Sequence, residues 1–368
     1  MNRIGCRMFV FLICLGSAPW LQAQGKITTF DPPGAGTGSG QGTVPEQNNR
    51  FGVIAGYYVD ARGVRHGFVR DAEGNFTQID VPGAGKGANQ GTTAYGINDA
   101  GTVVGQYRDK LGTDHSYLRT ADGTLTTFDA PGAGGPCGTG CHQGTRAAAI
   151  NQADQISGYI IDGNGTGHGM LRNPDGTCTI FDPAANSWTD GDTLGIDPAG
   201  TMTGPYYDAN GMVHGFVRDP DGTVTSFDGP GGGTGFGQGT IPSAISPKGV
   251  IPGIIVDANG VIHGFLRSPD GAITTFDAPG AGTSSGQGTL PAATNPAGIT
   301  TGMSIDANGV AHGFVRNPGG RISFFDAPGA GRTGPGQGTT PFSINVSHAI
   351  TGYYVDARGV KHGFLRRP

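Results

Sequence analysis

Charged side chains are scarce in this chain: they make up 14% of its 368 residues, and the formal net charge is −5. This balance argues against a basic surface for nucleic acids and against a long helical protein held together by salt bridges. Beyond residue 15 no segment is apolar enough to cross a membrane. We therefore expect neither a nucleic-acid partner nor a membrane-spanning chain.

Glycine and proline are abundant instead, with 71 Gly and 25 Pro, which is 96/368 or about 26% of the chain. Long helices are disfavoured, because each interior Gly costs ~1 kcal/mol and each Pro ~3 kcal/mol. Without a repeating sequence pattern this composition would indicate disorder. With such a pattern it indicates many tight turns that join short strands.

The first residues are typical of an export signal. Arg3 and Arg7 precede an apolar run over residues 8–15, which is far shorter than the ~20 residues that span a bilayer. Small residues then lead to Ala23, and we predict cleavage after it. Residues 1–23 would be a signal peptide, and residues 24–368 a single secreted or periplasmic domain.

Two of the five cysteines lie in that segment, where lipoprotein processing at Cys14 is an alternative to cleavage after Ala23. An oxidising compartment would favour a disulfide between Cys137 and Cys141. Cys178 is interpreted as a small buried apolar residue. These cysteines and one neighbouring histidine are too few for a zinc site, so we predict no metal and no cofactor.

A His-Gly-Phe motif, or a close variant, recurs at intervals of 46 to 53 residues. Its histidines are His66, His115, His168, His214, His263, His312 and His362. An aspartate follows an aromatic residue or Ile in step, at Asp31, Asp80, Asp129, Asp182, Asp228, Asp277 and Asp326. A second aspartate opens a turn at Asp60, Asp109, Asp162, Asp208, Asp257, Asp306 and Asp356. An arginine lies four residues after each histidine, at Arg70, Arg119, Arg172, Arg218, Arg267, Arg316 and Arg366.

One copy of the repeat predicts four strands, over residues 289–295, 299–306, 310–316 and 321–326. Asn, Asp, Pro and Gly between them indicate tight turns and an antiparallel meander. Four-stranded units of 40–50 residues are typical of a β-propeller. The mature chain begins with a fourth strand and ends with three strands, so we predict an all-β, seven-bladed propeller closed by joining these ends.

Strand alternation places His66 and Arg70 on one face of their strand. Burial of these groups between blades would be costly without partners. Asp60 and Asp80 supply acceptors, so we predict a hydrogen-bond network of Asp60, His66, Arg70, Asp80 and their equivalents within each blade. The alternative is one ligand or cation site per blade.

The long Gly-rich loops between blades are expected to share one face of the ring. Most of them keep a Gln-Gly-Thr sequence, with Gln41, Gln90, Gln143, Gln238, Gln287 and Gln337. Their amides are candidate ligand-binding groups for sugar hydroxyls or peptides. They could equally bond the backbone of their own loops.

Catalysis would need residues in different roles, so it is sought where the repeats differ. One loop carries His142, followed by Arg146. The next replaces the Gly-rich pattern with a segment that contains Trp188, Asp190 and Asp192. The candidate catalytic residues are His142, Arg146, Asp190 and Asp192, and Trp188 is a candidate for stacking on a sugar. The alternative is that this part of the chain has diverged from the other repeats without gaining a function.

The run Gly-Ile-Asn-Asp-Ala-Gly-Thr-Val-Val-Gly at 96–105, with His115-Ser116-Tyr117-Leu118 after it, resembles the bacterial extracellular repeat family named HAF. The middle residue of the His-Ala-Phe core is Gly in six copies and Ser in one. The resemblance implies export and repetition, but no established activity and no catalytic residues.

We expect a secreted, monomeric binding scaffold that recognises a glycan, a peptide or a surface partner through one face of the ring. A carbohydrate-active enzyme, such as a polysaccharide lyase on a propeller, is the second hypothesis. A structural envelope protein is the third. The near-equivalence of the repeats favours binding over catalysis.

Overall fold

The computed structural model describes residues 25–136, 142–189 and 194–368. Cys137, Cys141, Asp190 and Asp192 lie outside the described residues. Within the described ranges the chain is all-β, with 28 strands and no helix. These ranges accordingly hold no helix that could cross a membrane.

The strands pair as antiparallel, four-stranded meanders. The first strands are β2 (Gly42–Asn48), β6 (Gly91–Ile97), β10 (Gly144–Ile150), β14 (Gly195–Ile196), β18 (Gly239–Pro242), β22 (Gly288–Thr294) and β26 (Gly338–Ile344). The second strands are β3 (Ile54–Val59), β7 (Val103–Arg108), β11 (Ile156–Ile161), β15 (Met202–Tyr207), β19 (Ile251–Val256), β23 (Thr300–Ile305) and β27 (Ile350–Val355).

The third strands carry the repeated histidines, and they are β4 (Arg65–Arg70), β8 (Asp114–Arg119), β12 (Gly167–Arg172), β16 (Val213–Arg218), β20 (Ile262–Arg267), β24 (Ala311–Arg316) and β28 (Lys361–Arg367). The fourth strands are β5 (Phe76–Ile79), β9 (Leu125–Phe128), β13 (Cys178–Phe181), β17 (Val224–Phe227), β21 (Ile273–Phe276), β25 (Ile322–Phe325) and β1 (Lys26–Phe30). β1 pairs antiparallel with β28, with Lys26 opposite Arg367 and Phe30 opposite Gly363.

Two ends of the meanders are distinguished below. The loop face is the end at which the Gly-rich loops, such as residues 80–90, lie. The turn face is the opposite end, where turns such as residues 49–53 join first and second strands. Each histidine stands at the loop-face end of its strand, and the arginine four residues later stands near the turn face.

The Asp turns at the loop face follow from side-chain chemistry. Asp306 Oδ1 accepts hydrogen bonds from the backbone N–H groups of Asn308 at 2.8 Å and Val310 at 2.9 Å. Gly309 follows with φ of +78°, which a residue without a Cβ adopts at little cost. The strands of this copy begin and end within one residue of the predicted positions.

Six of the meanders are joined by a close backbone approach between the first residue of their first strand and the start of a third strand in the neighbouring meander. Gly91, at the start of β6, pairs in parallel with Arg65 at the start of β4. A Cβ on Gly91 would lie 2.1 Å from the carbonyl oxygen of Arg65, so only glycine fits there.

The core consists of hydrophobic layers between neighbouring meanders. The third residue of each His-Gly-Phe motif is fully buried, as Phe68, Tyr117, Met170, Phe216, Phe265, Phe314 and Phe364. Phe68 packs in a cluster with Ile54, Ala349 and Leu365, which joins the first meander to the last strands of the chain.

A belt of asparagines links the turns at the turn face. Asn49 Oδ1 accepts from the backbone N–H of Phe51 and Val53 within its own turn. Its Nδ2 donates to the carbonyl oxygen of Asn98 in the next turn at 3.1 Å. Further donations run from Asn98 to Asn151, Asn151 to Asp197, Asn295 to Asn345 and Asn345 to Asn49.

The first strands surround a cavity. Residues of β2, β6, β10, β14, β18, β22 and β26 all line one space of about 590 Å³. A space of this size falls within the range of small-molecule sites.

Candidate functional site

The repeated histidine lies between the two repeated aspartates. His66 Nδ1 is 2.8 Å from Asp80 Oδ1, and its Nε2 is 3.7 Å from Asp60 Oδ2. The ring stacks on Tyr58 with centroids 5.0 Å apart. The other pairs across the repeats are His115–Asp129, His168–Asp182, His214–Asp228, His263–Asp277, His312–Asp326 and His362–Asp31.

The pKa shifts of two of these groups have local causes. The hydrogen bond that the His115 ring donates to Asp129 is the chief cause that raises the pKa of His115. The backbone N–H of Thr166 is the chief cause that lowers the pKa of Asp162. In the ranges that the structure covers, no group of three or more His, Cys, Asp or Glu side chains is placed to hold a metal ion.

Arg70 does not share the aspartates, which corrects the predicted network of Asp60, His66, Arg70 and Asp80. Its guanidinium lies 4.7 Å from the ring centroid of Phe30 and donates to the carbonyl oxygen of Asp71. Four strand residues span ~13 Å, so the arginine and the histidine reach opposite ends of the same strand. The equivalent contacts are Arg172–Phe128, Arg218–Phe181, Arg267–Phe227, Arg316–Phe276 and Arg366–Phe325.

These stacks join neighbouring meanders rather than one meander internally. Phe276 belongs to the fourth strand β21, whereas Arg316 belongs to the third strand of the next meander. A cation over an aromatic face contributes ~0.5–2 kcal/mol, depending on its desolvation.

The glutamines of the Gly-rich loops bond to their own surroundings. Gln41 Oε1 accepts from the N–H of Gly38 at 2.9 Å, and its Nε2 donates to the carbonyl oxygen of Ala61 at 3.1 Å. Gln238, Gln287 and Gln337 repeat both contacts. Gln90 repeats the acceptor contact and Gln143 the donor contact. In four of the six loops these bonds occupy both ends of the amide.

Arg146 belongs to a buried ion-pair group. Its Nη2 lies 2.8 Å from the Oδ2 of Asp114, whose side chain is fully buried, and its Nη1 donates to the Tyr159 hydroxyl. Arg108 Nε approaches the other carboxylate oxygen of Asp114 at 2.8 Å. His142 is exposed nearby, and burial together with the two arginines lowers its pKa. The candidate pair His142 and Arg146 is thus brought together, with Arg146 already bound to a carboxylate.

Sequence reasoning missed Asp114 and its equivalents, which occupy the position before each repeated histidine. In chain order this position holds Arg65, Asp114, Gly167, Val213, Ile262, Ala311 and Lys361. Each of these residues begins a third strand at the loop face. Comparing the copies for residues that differ, rather than for residues that recur, would have revealed them.

Trp188 replaces a glycine that the other loops use. In those loops a glycine N–H donates to the last residue of the second strand, as from Gly36 to Val59 at 2.8 Å. In the meander of β14 to β17, Trp188 makes this bond to Tyr207 at 3.1 Å and accepts one back at 2.9 Å. The two rings stack with centroids 5.1 Å apart and an interplanar angle of 2°.

A third aromatic ring extends this stack. Phe236 lies 6.3 Å from Tyr207 by ring centroids, covers Gly211, and is 79% exposed. The corresponding loop positions of other repeats hold Ser39, Ala88, Ser285 and Pro335. We call Trp188, Tyr207 and Phe236 the aromatic patch.

Comparison with solved structures places the fold among propeller-like proteins. The chain is similar to virginiamycin B lyase from Staphylococcus aureus, with a TM-score of 0.59 and 14% identity over 93% of this chain and 99% of that one. It is also similar to the BP39L lectin from Burkholderia pseudomallei, with a TM-score of 0.55 and 12% identity over 93% and 96%.

At this identity the likeness concerns the fold alone. No family model matches the chain. No curated protein matches it either. The chain therefore has an all-β, propeller-like repeat fold, and its activity has to be argued from its own residues.

Proposed function

We propose that the protein is an exported, seven-bladed β-propeller that binds carbohydrate through the aromatic patch on its loop face. Export rests on the N-terminal sequence, in which Arg3 and Arg7 precede a short apolar run. Residues 24–368 would then form a single domain.

Three observations support a closed ring of seven blades. β1 pairs with β28 along five residues. The Nδ2 of Asn345 donates to the carbonyl oxygen of Asn49 at 2.9 Å and so continues the asparagine belt from the last turn to the first. The first strands of all the meanders line one cavity. Closure would leave no free sheet edge at the seam.

The observation that carries the binding function is the joint replacement at the aromatic patch. In the other repeats the position of Trp188 holds glycine, and that of Tyr207 holds an aliphatic residue or Arg. The position of Phe236 holds small residues elsewhere. All three positions are aromatic here. Packing alone does not account for this change, because Phe236 remains 79% exposed. Exposed apolar patches rimmed by polar residues are typical of binding sites.

Carbohydrate is the ligand class that fits this patch. One face of many sugar rings presents only C–H groups, which pack against aromatic rings. The sugar hydroxyls then remain free for a few polar groups around the apolar surface. We propose that the outer ring faces of Trp188 and Phe236 take up that apolar sugar face.

Binding is favoured over lyase chemistry by the state of Arg146. This residue is held by Asp114 and Tyr159. A lyase would need a cation free to neutralise the substrate carboxylate. The side chains of the asparagine belt and of the histidine–aspartate pairs likewise already make hydrogen bonds within the protein.

A glycan array with the mature chain tests the proposal, with Trp188→Ala and Phe236→Ser as patch variants. We expect binding to fall about tenfold or more in each variant, as for aromatic anchors of interfaces. Phe51→Ser is the matched control, because Phe51 is also exposed, at 61%, but lies on the turn face. Equal loss in all three variants, or no binding by the unmodified chain, would contradict the proposal. Cleavage of bound glycans would favour the lyase.

A further inference from the structure

Acidic and basic side chains are unevenly distributed between the two faces. Residues 147–331 contain six Lys or Arg residues, and all of them stand at or near the turn face, at Arg172, Arg218, Lys248, Arg267, Arg316 and Arg321. Eight of the repeated aspartates, from Asp162 to Asp326, lie on the loop face in the same part of the chain. Four repeated histidines accompany them, so 8 − 4 = 4 negative charges remain in excess even when every one of these histidines is protonated. We call this part of the loop face the acidic sector.

One position in the Asp turns contributes to this difference. In the first meander it holds Arg62, whose Nε donates to Asp60 Oδ2 at 3.1 Å and whose charge offsets that of the carboxylate. The last meander repeats this pair with Arg358 and Asp356. In the acidic sector the position holds asparagine instead, and Asn210 Nδ2 donates to Asp208 Oδ2 at 3.3 Å. The equivalent bonds are Asn164–Asp162, Asn259–Asp257 and Asn308–Asp306. An amide satisfies the carboxylate as a hydrogen-bond acceptor but leaves its negative charge in place.

The aromatic patch is built around one of these asparagine-containing turns. Tyr207 directly precedes Asp208, and Trp188 stacks on Tyr207. Phe236 lies over Gly211, which belongs to the same turn. The side chain of Asp208 is 32% exposed. A ligand that rests on the aromatic rings therefore comes close to a carboxylate that is accessible to solvent.

We propose that the sugar bound by the aromatic patch is an amino sugar that carries a free ammonium group, as in an oligomer of glucosamine. This inference rests on the proposed function and names its ligand class. A surface with charge of one sign concentrates ligands of the opposite sign. The faces of aromatic rings, that of tryptophan above all, also attract cations. Uronic acids, the sugars that would suit a polysaccharide lyase, are repelled by the same carboxylates.

Three tetrasaccharides with one linkage and different charges test the inference: the tetramers of glucosamine, glucose and glucuronic acid. Their affinities for the mature chain are measured by isothermal titration calorimetry at pH ~5.5, where amines are protonated and aspartates are ionised. We expect the glucosamine tetramer to bind about tenfold more tightly than the glucose tetramer, and the glucuronic acid tetramer to bind most weakly. The preference should shrink as salt is raised.

A natural substitution between repeats assigns this preference to the turn. Asn210→Arg gives the turn of the aromatic patch the residue that the first meander holds as Arg62. The added guanidinium offsets the charge of Asp208, so the glucosamine tetramer should bind about fivefold more weakly, whereas the glucose tetramer should bind unchanged.

Asn308→Arg is the matched control. It makes the same change beside Asp306, two meanders away, and exposed charges are screened over ~8–10 Å at ordinary salt. We expect it to leave the affinity for all three tetramers nearly unchanged. Unchanged binding of the glucose tetramer shows in both variants that the patch is intact. If Asn210→Arg does not fold, the ranking of the three tetramers and its salt dependence decide.

The inference is overturned if the glucose or the glucuronic acid tetramer binds as tightly as the glucosamine tetramer, or if Asn210→Arg and Asn308→Arg weaken binding equally. Tetralysine that binds as tightly as the glucosamine tetramer would also overturn it, because a cationic peptide would then serve equally well. In each of these cases, loss of glucose-tetramer binding in Trp188→Ala would still support the proposed function. Absence of binding by all three tetramers overturns the inference, and the glycan array then decides the proposed function separately.

Discussion

His362 Nδ1 lies 2.7 Å from Asp31 Oδ2, although the two residues are 331 positions apart in the chain. The same contact elsewhere, as between His66 and Asp80, spans 14 positions. The repeat unit is thus completed by residues from the two ends of the described chain. The bond at the seam has a chemically matched counterpart inside each repeat.

Because the two contacts are equivalent, they can be compared to test how firmly β1 is held against β28. Asp31→Ala and Asp80→Ala remove the same side chain, and each should cost ~0.5–1.5 kcal/mol because a solvent-accessible histidine nitrogen loses its partner. In the mature chain that we propose, β1 lies next to the N-terminus, whereas β5 is held by chain on both sides, so Asp31→Ala should loosen its strand more than Asp80→Ala does. We expect hydrogen exchange to accelerate at Lys26–Phe30 in Asp31→Ala.

The control is exchange at Phe76–Ile79 in Asp80→Ala, where a smaller change is expected. Hydrogen exchange read by mass spectrometry measures both segments. Similar acceleration of β1 and β5 in their respective variants would show that the contact between β28 and β1 is no weaker than the same contact within one meander.

The asparagine belt predicts different outcomes for two substitutions of one residue. Asn345 Oδ1 shapes its own turn, and its Nδ2 donates to Asn49. Asn345→Asp keeps the acceptor and loses the donor, so it should cost ~1 kcal/mol. Asn345→Ala loses both functions and should cost more, ~2 kcal/mol. Chemical denaturation measures the free energy of unfolding.

Asp197 provides the reverse experiment. It shapes its turn through Oδ1, as Asn345 does, but its carboxylate cannot donate to the next turn. Asp197→Asn supplies a donor and should be neutral or stabilising. Marked destabilisation by Asp197→Asn, or equal costs for the two Asn345 variants, would argue against a role of the belt in linking turns.

Substitutions at two phenylalanines distinguish a role in packing from a role in binding. Phe265 is fully buried and Phe236 is 79% exposed. Phe265→Ala should lower the free energy of unfolding by ~3–5 kcal/mol, because it leaves a cavity between meanders. Phe236→Ser should change it by less than ~0.5 kcal/mol, as is usual for surface positions. A large loss of stability in Phe236→Ser would make the aromatic patch a packing feature rather than a binding site.

The strands could be predicted from the sequence because turn-forming residues mark the ends of the strands in the repeat. Predicted strand 310–316 is observed as Ala311–Arg316, between two turns that contain Asp or Asn followed by Gly. Such turns are local, since each is set by side-chain acceptors and positive φ within four or five residues. The pairing of His66 with Asp80 follows from the same register.

Contacts between repeats could not be predicted in this way. Matching donors with acceptors within one repeat predicts that Arg70 binds the aspartates, but Arg70 stacks on Phe30 from another meander. That contact depends on how two sheets pack, which one copy of the repeat does not specify. The ion pair of Asp114 could not be predicted for a related reason, because the position before each repeated histidine holds a different residue in every copy.

His115 predicts a pH dependence of stability. The hydrogen bond that its ring donates to Asp129 is the chief cause that raises the pKa of His115 above the ordinary value of about 6.5, against the effect of burial. The folded state therefore binds this proton more tightly than the unfolded state. The resulting stabilisation is fully present below pH ~6.5 and is lost as pH rises through the folded pKa.

His115→Gln should accordingly destabilise the protein more at pH ~5.5 than at pH ~8.5, as measured by chemical denaturation at both values. Asp129→Asn is the partner variant, because it keeps the shape of the side chain and removes its charge. The pKa of His115, followed by proton NMR, should fall in this variant. In the matched control Asp277→Asn, which changes the partner of His263 instead, the pKa of His115 should stay unchanged. A pKa of His115 that is insensitive to Asp129→Asn would mean that the aspartate is not what retains the proton, and the pH dependence of stability would then need another source.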